Sequence, residues 1–272
     1  MDIMSAGGMI FAIGMLISAF LLEGGSFGKL LQPTAAMIVL GGTIGATLTS
    51  FPLKDIKKIG KALKTVFFNK PIDQLGIIDR LAELGDKARR SGILSLEEEI
   101  PKQDNELIKK GLELIMSGLD KDLVAETLMR QSEIDEADLH SCAAVWEAAG
   151  GYSPTMGIVG TVMGLVSVLG GLATAGMEKL GESISVAFIA TLYGIFFANI
   201  FYIPWATKIK TCAKKQKAAD ELVIEGILSI QAGENPKVMK DKLSYELIAK
   251  LSGVNLEAKE AAAKAAKAAA KE

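Results

Sequence analysis

Two hydroxyl side chains in otherwise apolar stretches are the candidates for chemistry in this sequence. Thr161 lies in the uncharged stretch from Pro154 to Ala175, and Thr191 lies in the uncharged stretch from Ser183 to Thr207. Hydroxyl oxygens can line a polar path or bind a hard cation such as sodium, although each can equally bond the carbonyl one turn back. Ion pathways through a bilayer usually need an ionisable group, and these stretches contain none. The chain therefore either conducts nothing or uses a carboxylate that a partner supplies.

A run of small residues follows one side of the stretch that carries Thr161. Gly157, Thr161, Gly164, Val168 and Gly171 are separated by four, three, four and three residues, the spacing that places them on one seam of a helix. In lipid, such narrow faces occur where helix backbones pack closely. The seam predicts a close neighbour, which is either another span of the same chain or a span of a second copy in a homo-oligomer. Ordinary packing of this kind and a functional role are equally open.

Two prolines stand near the ends of these stretches. Pro154 opens the first, where a proline in the first turn of a helix is favourable. Pro204 lies inside the second, where it removes a backbone hydrogen bond and is expected to kink the helix. Such a kink either transmits motion out of the membrane or only shapes the helix exit. For Tyr193 and Asn199 we expect packing or interhelical hydrogen bonds.

The stretch "ARRSGILSLEEEI" concentrates charges of both signs between apolar regions. Arg89 and Arg90 close one predicted helix, and Ser95 with Glu98 three residues later predicts a capping box at the start of the next. Glu97 lies in the same predicted first turn, where carboxylates are favourable. Exposed charges of this kind usually form only a solvated face, so a binding role needs a further argument.

The elements that must position these residues are membrane helices. Half of the 272 residues are hydrophobic and the mean hydropathy is +0.32, which is too apolar for an ordinary soluble enzyme. Four uncharged stretches each have the roughly 20 residues that a bilayer core requires: Ile3 to Leu22, Pro33 to Leu53, Pro154 to Ala175 and Ser183 to Thr207. The first does not read as a cleaved signal peptide, because no basic residue precedes it. The sequence contains no phosphate-binding loop, nucleophile motif or metal-ligand spacing, and no basic patch typical of nucleic-acid binding. We expect Cys142 and Cys212 to be free thiols.

Lysine placement orients the four spans. "LKDIKKIGKALK" follows the second span and "KIKTCAKKQK" follows the fourth, so the positive-inside rule places both flanks, and therefore both termini, in the cytoplasm. We divide the chain into spans one and two (1–53), a cytoplasmic helical domain (54–151), spans three and four (152–207) and a C-terminal cytoplasmic helix with an Ala/Lys-rich tail (208–272). The predicted fold is all-α, with a helical bundle inserted between spans two and three.

Three stretches resemble the flagellar stator A subunits of the MotA/TolQ/ExbB family. They are "GGYSPTMGIVGTVMGLVSVLGGL", "AFIATLYGIFFANIFYIPWATKIK" and "ARRSGILSLEEEI", and the resemblance covers nearly the whole chain before the Ala/Lys-rich tail. The order of the spans agrees with it. Relatives of the TolQ and ExbB type are expected to have three spans with the large insertion after the first, whereas here it follows the second of four.

This resemblance implies a function in the bacterial cytoplasmic membrane. It implies five copies of this chain around two single-span helices of a MotB-like B subunit, which carry the pore aspartate, with spans three and four lining the passage. It places Pro154 beside that aspartate and makes the seam with Gly157 and Gly164 a smooth track for rotation. It also maps Arg89 and Glu97 onto charges that engage the rotor's switch protein, so the inserted domain would transmit torque.

Three questions stay open at this level. We expect no cofactor, because the proton or sodium ion is transported. Protons are favoured as the commoner case, and the hydroxyls of Thr161 and Thr191 make sodium the alternative. An energiser of an envelope transport system, of the ExbB/TolQ kind, is the alternative function. A scaffold that only oligomerises is a third reading, and ion flux in the presence of the partner distinguishes it from the motor.

Overall fold

The computed structural model describes residues 2–68, 71–171 and 177–251, and these residues are helical with no strand among them. Within these described ranges, four helices are long and apolar enough to cross a membrane. The predicted fold class is thereby confirmed. The predicted Ala/Lys-rich tail after residue 251 and part of the loop between spans three and four lie outside the described residues.

The helices follow one another along the chain with short connections. They are α1 (Ile3–Leu22), α2 (Phe27–Leu30), α3 (Pro33–Ala36), a π-helical turn (Met37–Gly41), α4 (Gly42–Ser50), α5 (Leu53–Phe68), α6 (Gln74–Ser91), a 3₁₀ helix (Ile93–Lys102), α7 (Glu106–Met116), α8 (Lys121–Gly171), α9 (Met177–Phe197), a second π-helical turn (Ala198–Tyr202), α10 (Ile203–Gln231) and α11 (Pro236–Leu251).

The expectation that Pro154 lies in the first turn of a helix is wrong. Helix α8 begins at Lys121 and runs through Pro154 to Gly171, so this proline does not open a helix. Proline is tolerated inside a membrane helix where a neighbouring helix packs against it. Here α9 is that neighbour: a Cβ on Gly194 would lie only 2.6 Å from the carbonyl oxygen of Ser153 and 3.1 Å from the Cα of Pro154.

The distortion expected at Pro204 is located in the turn before it. Residues Ala198–Tyr202 form a π-helical turn, after which α10 continues through Pro204 to Gln231. A π-helical turn adds a residue to the turn, which relieves the clash between a proline ring and the carbonyl four residues earlier. The proline is therefore accommodated without ending the helix.

The contacts divide the chain into two compact units whose boundaries differ from our sequence segments. One unit comprises Met1–Lys70 and Ala137–Ala213, and the other comprises Pro71–Glu136 and Lys214–Glu272. Helix α5 and residues 137–151 therefore belong with the spans, and the described part of 214–272 belongs with the inserted helices. Our segments 1–53, 54–151, 152–207 and 208–272 describe positions relative to a membrane and stay a prediction.

The unit built from the insertion has its own hydrophobic core. Leu107, Ile108, Leu112 and Ile115 recur along α7 at helical spacing, which predicts one apolar face that meets a core. All four are buried, with Leu112 fully buried and Ile108 nearly so. Helix α11 and the 3₁₀ helix both pack against α6. Small residues permit the closest approaches, since a Cβ on Gly226 would lie 2.6 Å from Leu81 Cδ1.

The unit that contains the spans holds the N-terminus in place by polar contacts. Asp2 caps α1 by accepting from the backbone N–H of Met4 and Ser5, at 3.1 and 3.3 Å. Its backbone N–H donates to the carbonyl of Phe67 at 2.7 Å, and its carboxylate accepts from Lys208. The hydrogen bond from Lys208 lowers the pKa of the Asp2 carboxyl. The start of α1 therefore lies beside the two basic segments that follow spans two and four.

Candidate ion pathway and charged surface

The glycine seam of α8 packs against α9 of the same chain. A Cβ on Gly157 would lie 2.8 Å from the carbonyl oxygen of Ala190, and a Cβ on Gly164 would lie 2.6 Å from the Cβ of Ala187. Of the two neighbours that the sequence left open, the structure shows the span of the same protein. The expectation of an uncovered smooth track along Gly157 and Gly164 is wrong, because these glycines allow two backbones to approach each other.

The face of α8 opposite to this seam is apolar, and none of the described residues covers it. Its large side chains are between 45% and 67% exposed: Ile158, Val159, Val162, Met163, Val166 and Leu169. Lipid, another copy of the chain or a partner helix must cover such a surface in a membrane protein. This face, and not the glycine seam, is the surface that α8 offers to other molecules.

The two hydroxyls singled out in the sequence meet between α8 and α9. Thr161 Oγ1 and Thr191 Oγ1 are 2.5 Å apart, and Thr161 Oγ1 also lies 3.0 Å from the carbonyl oxygen of Ala187. The carbonyl oxygen of Gly157 lies 3.2 Å from Thr161 Oγ1 and 3.4 Å from Thr191 Oγ1. Four oxygens thus gather in a region of the spans without a charged side chain. We call Thr161 Oγ1, Thr191 Oγ1 and the carbonyls of Gly157 and Ala187 the oxygen cluster.

The prolines differ in their relation to the oxygen cluster. Pro154 lies one turn before Gly157 on α8, at the close contact with Gly194. Pro204 lies in α10, about 20 Å along the helical rise from Thr191, and outside the cluster. The structure therefore brings Pro154, Gly157, Thr161, Gly164 and Thr191 to one helix contact and leaves Pro204 apart.

Tyr193 makes the hydrogen bonds to another element that we expected, whereas Asn199 is exposed and bonds its own helix, which differs from the expectation. The Tyr193 hydroxyl donates to the carbonyl of Leu30 and accepts from the N–H of Gln32 at 3.1 Å, which ties α9 to the start of the second span. The Asn199 amide donates to the carbonyl of Ile195 at 2.9 Å, one turn back on its own helix. Neither side chain joins the oxygen cluster.

The charged residues of "ARRSGILSLEEEI" form an exposed surface, but the predicted capping box is absent. Arg89, Arg90 and Glu97 are all exposed, and the Arg90 side chain pairs with Asp86 one turn back at 3.0 Å. The segment after Gly92 is a 3₁₀ helix that begins at Ile93, so Ser95 lies inside it and its hydroxyl donates to the carbonyl of Gly92 at 2.6 Å. Gly92 has φ +83°, a conformation that favours glycine, and this turn sets the start of the 3₁₀ helix.

A buried carboxylate that sequence reasoning did not single out holds this surface together. Glu99 accepts from Lys87 at 2.7 Å, from Arg80 at 2.8 Å and from Lys102 at 3.0 Å, while its side chain is only 12% exposed. Its hydrogen bonds with Lys87, Lys102 and Arg80, in that order, lower its pKa to about 2. Its partners on α6 precede it by 12 and 19 residues, whereas side chains on one helix meet at separations of three or four. No sequence pattern therefore indicates these pairs.

Fold and site together define a class of protein. The chain is a multi-span helical membrane protein that has a polar oxygen cluster between two uncharged spans and a charged surface on an inserted helical unit. A model of motility protein A N-termini matches residues 6–92, and a model of the MotA/TolQ/ExbB proton channel family matches residues 99–222. The chain belongs to the MotA/TolQ/ExbB proton channel family.

Individual relatives are similar over nearly the whole chain. Motility protein A of Bacillus subtilis is 36% identical over 92% of each chain, and motility protein A of Aquifex aeolicus is 35% identical over 91% of this chain and 97% of the relative. Among solved structures, MotAB of C. jejuni is similar with a TM-score of 0.84 and 31% identity, over 89% of this chain and 94% of the other. The flagellar MotAB stator complex of Bacillus subtilis is similar with a TM-score of 0.81 and 35% identity, over 87% of this chain and 92% of the other. These relatives confirm the predicted resemblance and the prediction that the chain is not an enzyme.

Proposed function

We propose that this chain is the A-type subunit of a bacterial flagellar stator, which converts ion flow into torque on the rotor. The observation that carries the proposal is the oxygen cluster, which lies between two spans that contain no ionisable side chain. A solved relative with a TM-score of 0.81 is a flagellar stator complex, and this supports the same role here. The chain supplies polar oxygens, and the ionisable group comes from its partner.

The partner is a MotB-like single-span subunit that carries an aspartate within its span. Solved relatives are complexes described as MotAB, which supports such a pairing. Five copies of this chain surround two partner helices, and the uncovered apolar face of α8, from Ile158 to Leu169, contacts the neighbouring copies and the partner. Protonation of the partner's aspartate changes its charge and its preferred contacts, and the ring turns by one step.

The complex lies in the bacterial cytoplasmic membrane with both termini of this chain in the cytoplasm. The basic segments after spans two and four support this orientation. The contacts of Asp2 with Lys208 and with the Phe67 carbonyl also support it, since they bring the N-terminus to the same side as both segments. The exposed surface with Arg89, Arg90 and Glu97 then faces the rotor's switch protein.

The transported ion is the proton, and sodium is the second candidate. Protons suit spans without charged groups, because the partner's aspartate alone can carry the proton. The oxygen cluster favours sodium as the alternative, since Thr161, Thr191 and two carbonyls supply the oxygen ligands that a hard cation prefers. No cofactor takes part.

A complementation experiment tests the function and the ion together. A strain that lacks its own stator genes receives this chain with its single-span partner, and swimming speed is measured against sodium concentration and against a protonophore. We expect swimming that a protonophore abolishes and that does not depend on sodium. Speed that rises with sodium and survives the protonophore would replace the proton by sodium. If the pair restores outer-membrane uptake in an ExbB/TolQ-deficient strain but no motility, the energiser function replaces the stator.

A further inference from the structure

Helix α5 runs along one surface of the membrane, because both of its ends are tied to spans. Its first residue, Leu53, follows the end of the second span at Ser50. In its last turn, the carbonyl of Phe67 accepts from the backbone N–H of Asp2 at 2.7 Å. Asp2 caps the start of α1, which lies on the same side of the membrane as Ser50 because the chain crosses the bilayer twice between them. The 16 residues of α5 extend about 24 Å between these two points.

One side of α5 packs against the protein. Ala62 and Val66 are 2% and 1% exposed and belong to a small core to which α8 and α10 also contribute. Lys58 forms an ion pair with Asp138 of α8 at 2.7 Å. These contacts fix which side of α5 faces away from the protein.

The side that faces away carries positive charge between two apolar side chains. Lys54, Lys57 and Lys64 are exposed and form no ion pair with any described residue. Leu53 and Phe68, at the two ends of α5, are 63% and 65% exposed. Steps of four, seven and four residues lead from Leu53 through Lys57 and Lys64 to Phe68, and such steps keep to one side of a helix. We call these five residues the basic stripe.

Other lysines near the ends of the spans are neutralised by carboxylates of the same chain. Lys208 pairs with Asp2, and Lys210 pairs with Glu147 at 2.5 Å, although both directly follow the fourth span. In α5, by contrast, the sequence has five lysines and Asp55 as the one acidic residue. Positive charge that the fold does not use for its own ion pairs attracts an anionic partner.

We propose that the basic stripe binds the anionic phospholipid headgroups of the leaflet along which α5 lies. The lysines contact the headgroup phosphates, and Leu53 and Phe68 enter the boundary between headgroups and acyl chains. A soluble acidic protein is the alternative partner. The position of α5 along the membrane surface and the two exposed apolar side chains favour the lipid. The proposal requires only that the chain spans a membrane, and does not depend on which ion it conducts.

Hydrogen exchange of α5 in defined lipids tests this contact. The full-length chain is placed in nanodiscs of phosphatidylcholine in which phosphatidylglycerol replaces a rising fraction, and the exchange of residues 53–68 is measured. We expect exchange to slow with a clear midpoint as the anionic fraction rises, whereas residues 106–116 of α7, in the other unit, keep their rate. Raising the ionic strength from about 0.1 M to about 1 M shortens the Debye length from about 10 to about 3 Å and should remove the effect.

Single lysine variants show whether the basic stripe is the contact. Lys57→Gln and Lys64→Gln should each move the midpoint to an anionic fraction about fivefold higher, since one lysine near a membrane surface contributes a factor of about that size. Lys121→Gln is the matched control, because Lys121 is also exposed and without an ion pair among the described residues but belongs to the other unit. It should leave the midpoint unchanged.

Three other results would overturn the proposal. Equal exchange of residues 53–68 in neutral and anionic nanodiscs would exclude a headgroup contact. A midpoint that Lys121→Gln moves as far as Lys57→Gln would show attraction by the net charge of the chain and not by the stripe. Exchange that slows with inorganic phosphate or polyglutamate, but not with phosphatidylglycerol, would replace the lipid by a soluble phosphate or an acidic protein.

Discussion

Replacing Gly157 by alanine tests the closest backbone contact between spans three and four. The new Cβ would lie 2.8 Å from the carbonyl oxygen of Ala190, 3.0 Å from the Cα of Thr191 and 3.3 Å from the Cα of Gly194. All three atoms belong to the backbone, so no side-chain rotation can make room. Gly170→Ala is the matched control on the same helix, because no atom lies within 4 Å of its added Cβ.

The size of the effect follows from two opposing contributions. Overpacking of a tight contact costs about 1–3 kcal/mol, whereas alanine in a helix is more favourable than glycine by about 1 kcal/mol. Alanine's helix preference applies to both variants, so Gly157→Ala should be less stable than Gly170→Ala by about 1–3 kcal/mol, and Gly170→Ala should be neutral or slightly stabilising. Ordinary van der Waals contact begins at 3.4 Å, so α9 must also move by about 0.6 Å. That movement disturbs the 2.5 Å contact between Thr161 and Thr191.

The assay compares three quantities for both variants: the amount of protein in the membrane fraction, the thermal midpoint of the purified complex and the swimming speed. We expect normal insertion for both, and a lower midpoint and slower swimming for Gly157→Ala alone. If Gly157→Ala melts and swims like Gly170→Ala, the close approach of α8 and α9 and its support of the oxygen cluster are refuted.

Three further predictions concern the oxygen cluster and the charged surface. Thr191→Val removes the 2.5 Å hydroxyl contact and should reduce ion flux in vesicles without reducing assembly, while Thr191→Ser should keep flux; equal flux in both would exclude a role for the hydroxyl. Glu99→Gln removes the anion that Arg80, Lys87 and Lys102 share, although Arg80 keeps Glu83 and Lys87 keeps Glu98. The change should destabilise the segment 74–103 by up to about 3 kcal/mol, measured by hydrogen exchange, since each of the three partly exposed pairs contributes about 0–1 kcal/mol. The pKa of Glu99 is lowered from 4.5 to about 2 in the folded protein, so the stabilisation by its carboxylate is present above pH 4.5 and is lost as the pH falls towards 2. Glu99→Gln should lack this loss of stability at acid pH. If the variant loses stability at acid pH as the original protein does, the assignment is contradicted. Arg89→Glu or Glu97→Lys should each reduce torque in tethered cells while ion flow stays normal, and a reversed charge on the rotor should partly restore it; normal torque in both variants would locate the rotor contact elsewhere.

The sequence predicted the inserted helices better than the end of the charged segment. The apolar spacing of α7 identified its buried residues, because an amphipathic helix presents the same face to whatever core it meets. The predicted capping box at Ser95 was wrong, since the turn at Gly92 starts a 3₁₀ helix that already includes Ser95. The ion pairs of Glu99 could not be predicted from the sequence, because its partners on α6 meet it only after the chain has folded back.

The sequence alone determined which stretches can cross a membrane, since a bilayer core selects for about 20 apolar residues whatever lies beside them. The predicted first span, Ile3 to Leu22, coincides with α1 for this reason. The tertiary structure decided which neighbour the glycine seam meets and whether Thr161 and Thr191 touch. A small-residue seam permits close approach to any helix, and a threonine can bond its own backbone or a partner. Only the packing of α8 on α9 removes that choice, because it brings Gly157 against Ala190 and thereby joins the two hydroxyls.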